Sequence, residues 1–187
     1  DGCEVRVFAL AAARTREAAS ELGKQFMARS VEKQYLAVCR GWPAEHGEID
    51  YPLGDVRPNS PRKPALTRYR TLATVELPVA VDRYPTSRYA LVEARPVTGR
   101  THQIRRHMNH IGHPVIGDST HGKGVHNRYF ASAWGANRLM LACVQMQLQH
   151  PVSGETVLLD ADPGEQFHRL AAAFGWPDMA KLQAAPE

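Results

Sequence analysis

The sequence has little cysteine: Cys3, Cys39 and Cys143 are its only three in 187 residues. They are too few and too scattered for a disulfide framework or a cysteine zinc site, and they fit a reducing compartment, so a cytoplasmic location is expected. No apolar run approaches the ~20 residues a membrane helix needs, and no signal peptide opens the chain, so no membrane role is expected. Neither a GxGxxG nor a Walker loop occurs, and a GxSxG elbow is missing as well, which leaves nucleotide cofactors and acyl transfer unsupported. His102, His107, His110 and His113 lie close together, but no HExxH-type pair sets a general-base glutamate beside them. The expectation is therefore no cofactor and no metal. Repeats, low-complexity tracts and a convincing second-domain boundary are also missing. A chain of this length with 43% hydrophobic residues fits one domain with a sizeable core. The first residue is not methionine, so a preceding segment is expected.

What is present is basic. The net charge of +4 and a pI near 9.1 lean towards nucleic acid. Residues 95–107 carry four arginines and two histidines, with no acid between Glu93 and Asp118. Ile104, Met108 and Ile111 recur at helical spacing after a strand-like run at residues 89–94. The chain should therefore leave a strand, turn at Thr98-Gly99 and enter a helix. His102, Arg105, Arg106 and Asn109 fall on the other side of that helix. A donor-rich cluster near a helix N-terminus favours phosphate, although a solvated basic face has the same pattern.

Taken in order, residues 5–10 read as a strand and residues 11–28 as a helix with Ala18, Leu22 and Phe26 buried. Residues 31–40 read as a strand, apolar on both faces from Tyr35 to Cys39 and hence central. On pattern alone Tyr35 is a core residue. Residues 54–64, with Arg57, Arg62 and Lys63, form a loop, and so do residues 77–87. Strands are expected at residues 66–76 and 89–94, then a short one within residues 112–118. Residues 121–130 read as a surface loop and residues 138–148 as a strand. A hairpin turn at 150–155 leads into residues 156–160, and a helix closes the chain at 164–174. The fold class is α+β, a mixed or antiparallel β-sheet flanked by helices.

Residues 95–107, continued by Gly112-His113-Pro114-Val115-Ile116-Gly117-Asp118, resemble the signature of the RluA-type pseudouridine synthases. Lys33-Gln34-Tyr35-Leu36-Ala37 resembles that family's tyrosine motif, and Arg138-Leu139-Met140-Leu141-Ala142 its later leucine-bearing strand. Arg40-Gly41-Trp42, Asp50-Tyr51-Pro52-Leu53, Arg83-Tyr84-Pro85-Thr86, Ser119-Thr120-His121-Gly122, Asn127-Arg128 and Phe174-Gly175-Trp176 resemble a tRNA-acting member. The resemblance implies a single pseudouridine-synthase catalytic domain over residues 1–187, lacking its N-terminal portion. It implies isomerisation of a specific uridine in tRNA by an aspartate nucleophile, with the base flipped out and no cofactor. Arg105 would pair with that aspartate, Tyr35 would stack on the base and assist proton removal from C5, and Leu139 would form the apolar wall. Arg100, His102, Gln103, Arg106 and His107 would divide RNA contact and motif support between them, with His121, Asn127 and Arg128 as further RNA contacts. The family's His-Arg-Leu-Asp-Arg-x-Thr-Ser-Gly motif matches only at its tail, Asp1-Gly2. The nucleophile is thus expected upstream of residue 1, with Asp1 as the other candidate. An RNA-binding module without catalysis, a synthase acting on ribosomal RNA, and a zinc hydrolase are the other readings. A monomer is the default.

Overall fold

The computed structural model describes residues 15–55 and 59–179. The strand expected at residues 5–10, together with Asp1 and Arg57, lies outside them.

Helix α1 (Arg16–Ala28) starts where Thr15 caps it, its hydroxyl accepting from the Ala18 amide at 3.2 Å. Its buried face differs from the expected stripe. Leu22 packs towards Val31, Met146 and Leu148, whereas Phe26 is 43% exposed with the Lys33 ammonium 5.5 Å from its ring centre. Gln25 takes the buried position, its amide bonding both the O (2.8 Å) and the N (2.9 Å) of Gln149. Spacing cannot reveal a polar residue that is buried because it pairs with a strand end.

Six strands follow: β1 (Glu32–Arg40), β2 (His46–Asp50), β3 (Leu66–Leu77), β4 (Ser87–Pro96), β5 (Leu141–Gln149) and β6 (Thr156–Asp160). They form one sheet in the order β2-β3-β4-β1-β5-β6 with every pairing antiparallel. Of the two sheet types expected, antiparallel is the one formed. β1 lies between β4 and β5, and Leu36 to Cys39 are all at most 1% exposed, as a strand covered on both faces requires. β2 was not foreseen. Its His-Gly-Glu-Ile-Asp has one buried residue, Ile49, the low-contrast pattern of a short edge strand.

The two faces carry separate clusters. Leu36, Val38, Tyr89, Leu91, Ala142 and Val144 pack under α3 (Gly124–Trp134) and α4 (Glu165–Phe174). Ala37, Cys39, Ala90, Val92 and Ala94 pack under α2 (Gln103–His110) through Ile104 and Met108. A bulge in β5 opposite Gln34 and Tyr35 shifts the register from Gln145 to Cys143. It changes the side-chain alternation of β5, so that Leu141 and Cys143 share a face with Tyr35 on one side of the bulge and Met146 with Lys33 on the other.

Residues 124–130, expected to be surface loop, belong instead to α3. His126 and Phe130, one helical step of four apart, are its buried pair. Gly122 and Gly124 obscure that period. Gly122 is needed because a Cβ there would lie 2.2 Å from the Asp118 carbonyl oxygen. The hairpin turn at 150–155 and the closing helix, Glu165–Phe174, form as the pattern predicts.

Candidate active site

The turn between β4 and α2 is closed by side chains. Thr98 Oγ1 accepts from the Leu66 amide at 3.0 Å and donates to Gln103 Oε1 at 2.6 Å. Gln103 Oε1 also accepts from the Arg100 amide at 3.0 Å, while its Nε2 donates to the Leu66 carbonyl at 2.9 Å and to Thr67 Oγ1 at 3.0 Å. Thr67 hands the chain on to His107. His107 Nε2 lies 3.0 Å from the Tyr51 carbonyl, which can only accept, and Nδ1 lies 2.9 Å from Thr67 Oγ1. The consistent tautomer is therefore Nε2–H, with the threonine hydroxyl donating to Nδ1. Burial holds the His107 pKa below its ordinary value, so the ring is neutral in this chain of bonds. His102, at the start of α2, adopts a left-handed φ of 53°, which is rare for a residue with a Cβ.

Arg105 then projects from the first turn of α2 onto Asp118. Its Nε and Nη2 each bond one carboxylate oxygen at 2.7 Å, a bidentate pair whose aspartate side chain is fully buried. Asp118 Oδ1 also accepts from the amides of Thr120 (2.9 Å) and His121 (2.8 Å). Burial alone would raise the Asp118 pKa, but the Arg105 bond and these two amides outweigh it and hold it at about 2. Asn127 clamps the turn from α3, accepting from the Gly117 amide at 2.8 Å and donating to the Asp118 carbonyl at 2.9 Å. Gly117 has φ 79°, and a Cβ there would lie 1.9 Å from the Arg138 carbonyl oxygen, so no other residue fits this turn unchanged.

Tyr35, Arg105 and Leu139 line one cavity of about 340 Å³, reached from β1, α2 and the approach to β5. Ile104 and Leu141 add apolar wall, Lys33, Arg100 and His102 add donors, and no described lining residue is an acid. Half-buried Tyr35 has its pKa raised, first by burial and then by neighbouring Cys143, which keeps the phenol protonated. Across Lys33 and Pro96 lies a second cavity of about 590 Å³, whose walls include Arg29, Arg68 and Arg95. Arg68 and Arg95 are held by Glu48 (2.7 Å) and Glu93 (3.0 Å).

The structure sorts the expected RNA contacts. Gln103 and His107 are buried and hydrogen-bonded within the framework, and Gln103 also borders the cavity. Arg106 donates to the Gly54 carbonyl at 2.6 Å and ties down the loop after β2. Asn127 faces the Gly117–Asp118 turn. Arg100 bonds the Pro64 carbonyl at 3.2 Å yet still borders the cavity. His102 Nδ1 and His121 Nε2 lie 3.3 Å apart, and burial, aided by the charges of Arg105 and Arg106 and opposed by Asp118, lowers both pKa values, which favours a hydrogen bond between neutral rings. Arg128 is exposed.

Among the described residues the carboxylate partner of Arg105 is Asp118, whereas the sequence pointed to a nucleophilic aspartate; both candidates for that aspartate lie outside them. Asp118 could have been singled out as the first acid after the basic run. Lys33, Arg29 and Arg68 could not, because strand pairing brings Lys33 and Arg68 to the cavities and the end of α1 brings Arg29. Among the described residues no group of three His, Cys, Asp or Glu side chains converges as a metal-ligand set, and no helix is long and apolar enough to cross a membrane.

Residues 9–110 match the family described as RNA pseudouridylate synthase. The chain is 44% identical over 169 residues to tRNA pseudouridine synthase C of Pectobacterium carotovorum, covering 86% of this chain and 45% of that protein. It is 40% identical to the protein of that name from Vibrio cholerae serotype O1, covering 96% of this chain and 76% of the relative. For the Salmonella typhi protein of the same name the identity is 41%, over 89% of this chain and 69% of the relative. The chain thus spans between about half and three quarters of the length of these relatives. The solved structure of human RNA pseudouridylate synthase domain containing 1 superposes with a TM-score of 0.67 at 25% identity, over 94% of this chain and 75% of the other. A second human structure, RNA pseudouridylate synthase domain containing 4, gives 0.66 at 20% identity, over 87% and 69%, a likeness of fold.

Proposed function

The chain belongs to the RNA pseudouridylate synthase family, and from that premise we propose that it isomerises a uridine to pseudouridine in tRNA. The names of the relatives favour tRNA over ribosomal RNA as the substrate. The convergence of Tyr35, Arg105 and Leu139, from three separate elements, on one 340 Å³ cavity carries the reading. That volume falls in the range of small-ligand sites, about 300–1,000 Å³.

In this mechanism the uridine leaves its stack, because its reacting atoms are otherwise covered by neighbouring bases. The base enters between the Tyr35 ring and the Leu139 wall. An aspartate carried outside the described residues attacks the nucleoside. The N1–C1′ bond breaks, the uracil turns, and C5 bonds to C1′ as the bond to the aspartate breaks and its carboxylate is regenerated; the C5 proton is lost and N1 takes one up. Arg105 spends Nε and Nη2 on Asp118, which leaves its Nη1 to donate to the carboxylate of an ionised nucleophile. Tyr35 is assigned the stacking role, since a phenol held protonated by burial is a poor base. Lys33, Arg29 and Arg68 in the adjoining cavity, with Arg100 at the mouth, are suited to the phosphates either side of the flipped base. The chemistry asks for no cofactor, and the cytoplasm is where this substrate is met.

The test is tritium release from unmodified tRNA carrying 5-tritiated uridine. Release by the protein, lost in Arg105→Ala while RNA is still bound, is the expected result. Saturable RNA binding with no release would leave an RNA-binding module in place of an enzyme.

A further inference from the structure

A third cavity, about 550 Å³, lies at the other end of β1 and β4, bordered by Arg40, Trp42, Tyr84, Arg88, His113 and His126. From Tyr35 to Arg40 is five residues of strand, about 17 Å at ~3.3 Å per residue, so it is separate from the reaction cavity. The motifs around Trp42 and Tyr84 have no part in the proposed reaction.

Three observations give this cavity a chemistry. First, it offers aromatic faces to solvent: Trp42 is 41% and Tyr84 51% exposed, although large aromatics are costly to leave in water. Trp42 is fixed in place, its Nε1 donating to the Val75 carbonyl at 3.1 Å. Second, guanidinium groups accompany both rings. Arg88 sits 4.3 Å from the Trp42 ring centre and Arg83 4.9 Å from that of Tyr84. Arg88 is partly neutralised by Glu76 at 3.2 Å, and Lys123 by Asp82. Third, His126 is 3% exposed and bonds Tyr89 Oη through Nδ1 at 2.8 Å, yet its buried Nε2 has no hydrogen-bond partner. Burial, with the charge of Arg40, lowers the His126 pKa to about 4, so the ring is neutral at physiological pH. An orphaned buried polar atom costs free energy, and Nε2 lies just behind the surface of a residue that lines the cavity, so a shift of the ring brings it within reach of a ligand.

We infer that this cavity binds a second, unstacked nucleotide, its base against Tyr84 and Trp42, its phosphate near Arg83 and Arg88, and an edge nitrogen or oxygen of the base meeting His126 Nε2 once the ring shifts towards it. Exposed aromatics beside arginine, with one buried hydrogen-bonding group, are the combination that grips a single base without reading a duplex. The nucleotide is either part of the RNA substrate or free in solution. The inference rests on reading the chain as an RNA-acting protein only in the first case.

The experiment is titration of the whole protein with adenosine and uridine 5′-monophosphates and, separately, with tRNA, following tryptophan fluorescence. Trp176 is 7% exposed and Trp134 half-buried, so Trp42 is the most exposed reporter, and Trp42→Phe supplies the blank. Saturable quenching by mononucleotide, absent in the blank and weakened about tenfold or more by Tyr84→Ala, indicates a free-nucleotide site. Quenching by tRNA alone, with the same dependence on Tyr84, indicates a base held within RNA. Tyr84 is half exposed, so its replacement leaves the fold intact. Binding of tRNA and mononucleotide that is indifferent to Tyr84→Ala overturns the inference, including the case where this surface serves a protein partner. Tritium release without Tyr84-dependent binding sinks this inference alone. Tyr84-dependent mononucleotide binding without release sinks only the catalytic reading.

Discussion

The two ends of β1 are built on opposite plans. At the Tyr35 end every buried polar group named above is engaged: Gln103 makes four hydrogen bonds, His107 two, and the Asp118 carboxylate four, counting both arms of Arg105. At the Trp42 end aromatic rings face solvent and His126 Nε2 is unsatisfied. Fixed charge and closed hydrogen bonding suit a site that must aim groups at a reacting centre. An open, partly unsatisfied surface suits one that only holds a base.

Removing the charge at the ordered end should break the contrast most severely. Arg105→Ala strands Asp118 as a buried, unpaired carboxylate, so stability should fall by about 3–5 kcal/mol in a denaturant melt. Tritium release should fall at least ~100-fold. Arg105→Lys keeps the charge without the fork and should recover part of the stability but little of the turnover. Next, Gln103→Leu leaves Thr98, Thr67 and two backbone groups short of partners, and urea unfolding should show a loss of about 1–3 kcal/mol.

Acid sharpens the same end. The Asp118 pKa is depressed from 3.8 to about 2, so its contribution is present above the unfolded value and lost as pH falls towards the folded one. At 1.36 kcal/mol per unit this is about 2 kcal/mol, lost between roughly pH 4 and pH 2. Asp118→Asn should flatten that part of the stability profile. A smaller effect is expected from the exposed cations. Arg128→Ala should weaken RNA binding and reduce the slope of log affinity against log salt by about 1. Smallest of all, Tyr84→Ala should change thermal stability by no more than about 0.5 kcal/mol. A larger loss would show the Trp42 end to be structural rather than open.

Much of this arrangement was legible in the sequence where period and chemistry agreed. The strand before Thr98, the helix carrying Ile104 and Met108, the central strand at Leu36–Cys39 and the closing helix at 165–174 all repeat their burial at the expected spacing. β2 was illegible because one buried residue in five sets no period. α3 was illegible because Gly122, required by its close approach to Asp118, and Gly124 at the start of the helix both read as loop. At the site, motif order singled out Tyr35, Arg105 and Leu139, and the structure brings all three to one cavity. It could not show that Arg105 would find Asp118, or that Lys33 and Arg68 would meet across the sheet, since pairing register is a property of the whole sheet rather than of any local stretch.

The central claim is that the flipped uridine enters the cavity between Tyr35 and Leu139. Photo-crosslinking of the protein to tRNA containing 4-thiouridine, followed by peptide mapping, tests it most directly. The account predicts crosslinks on the peptides holding Tyr35 and Leu139, reduced by competing unmodified tRNA. Crosslinks confined to the Trp42 and Tyr84 peptides, with none in the reaction cavity, would contradict it.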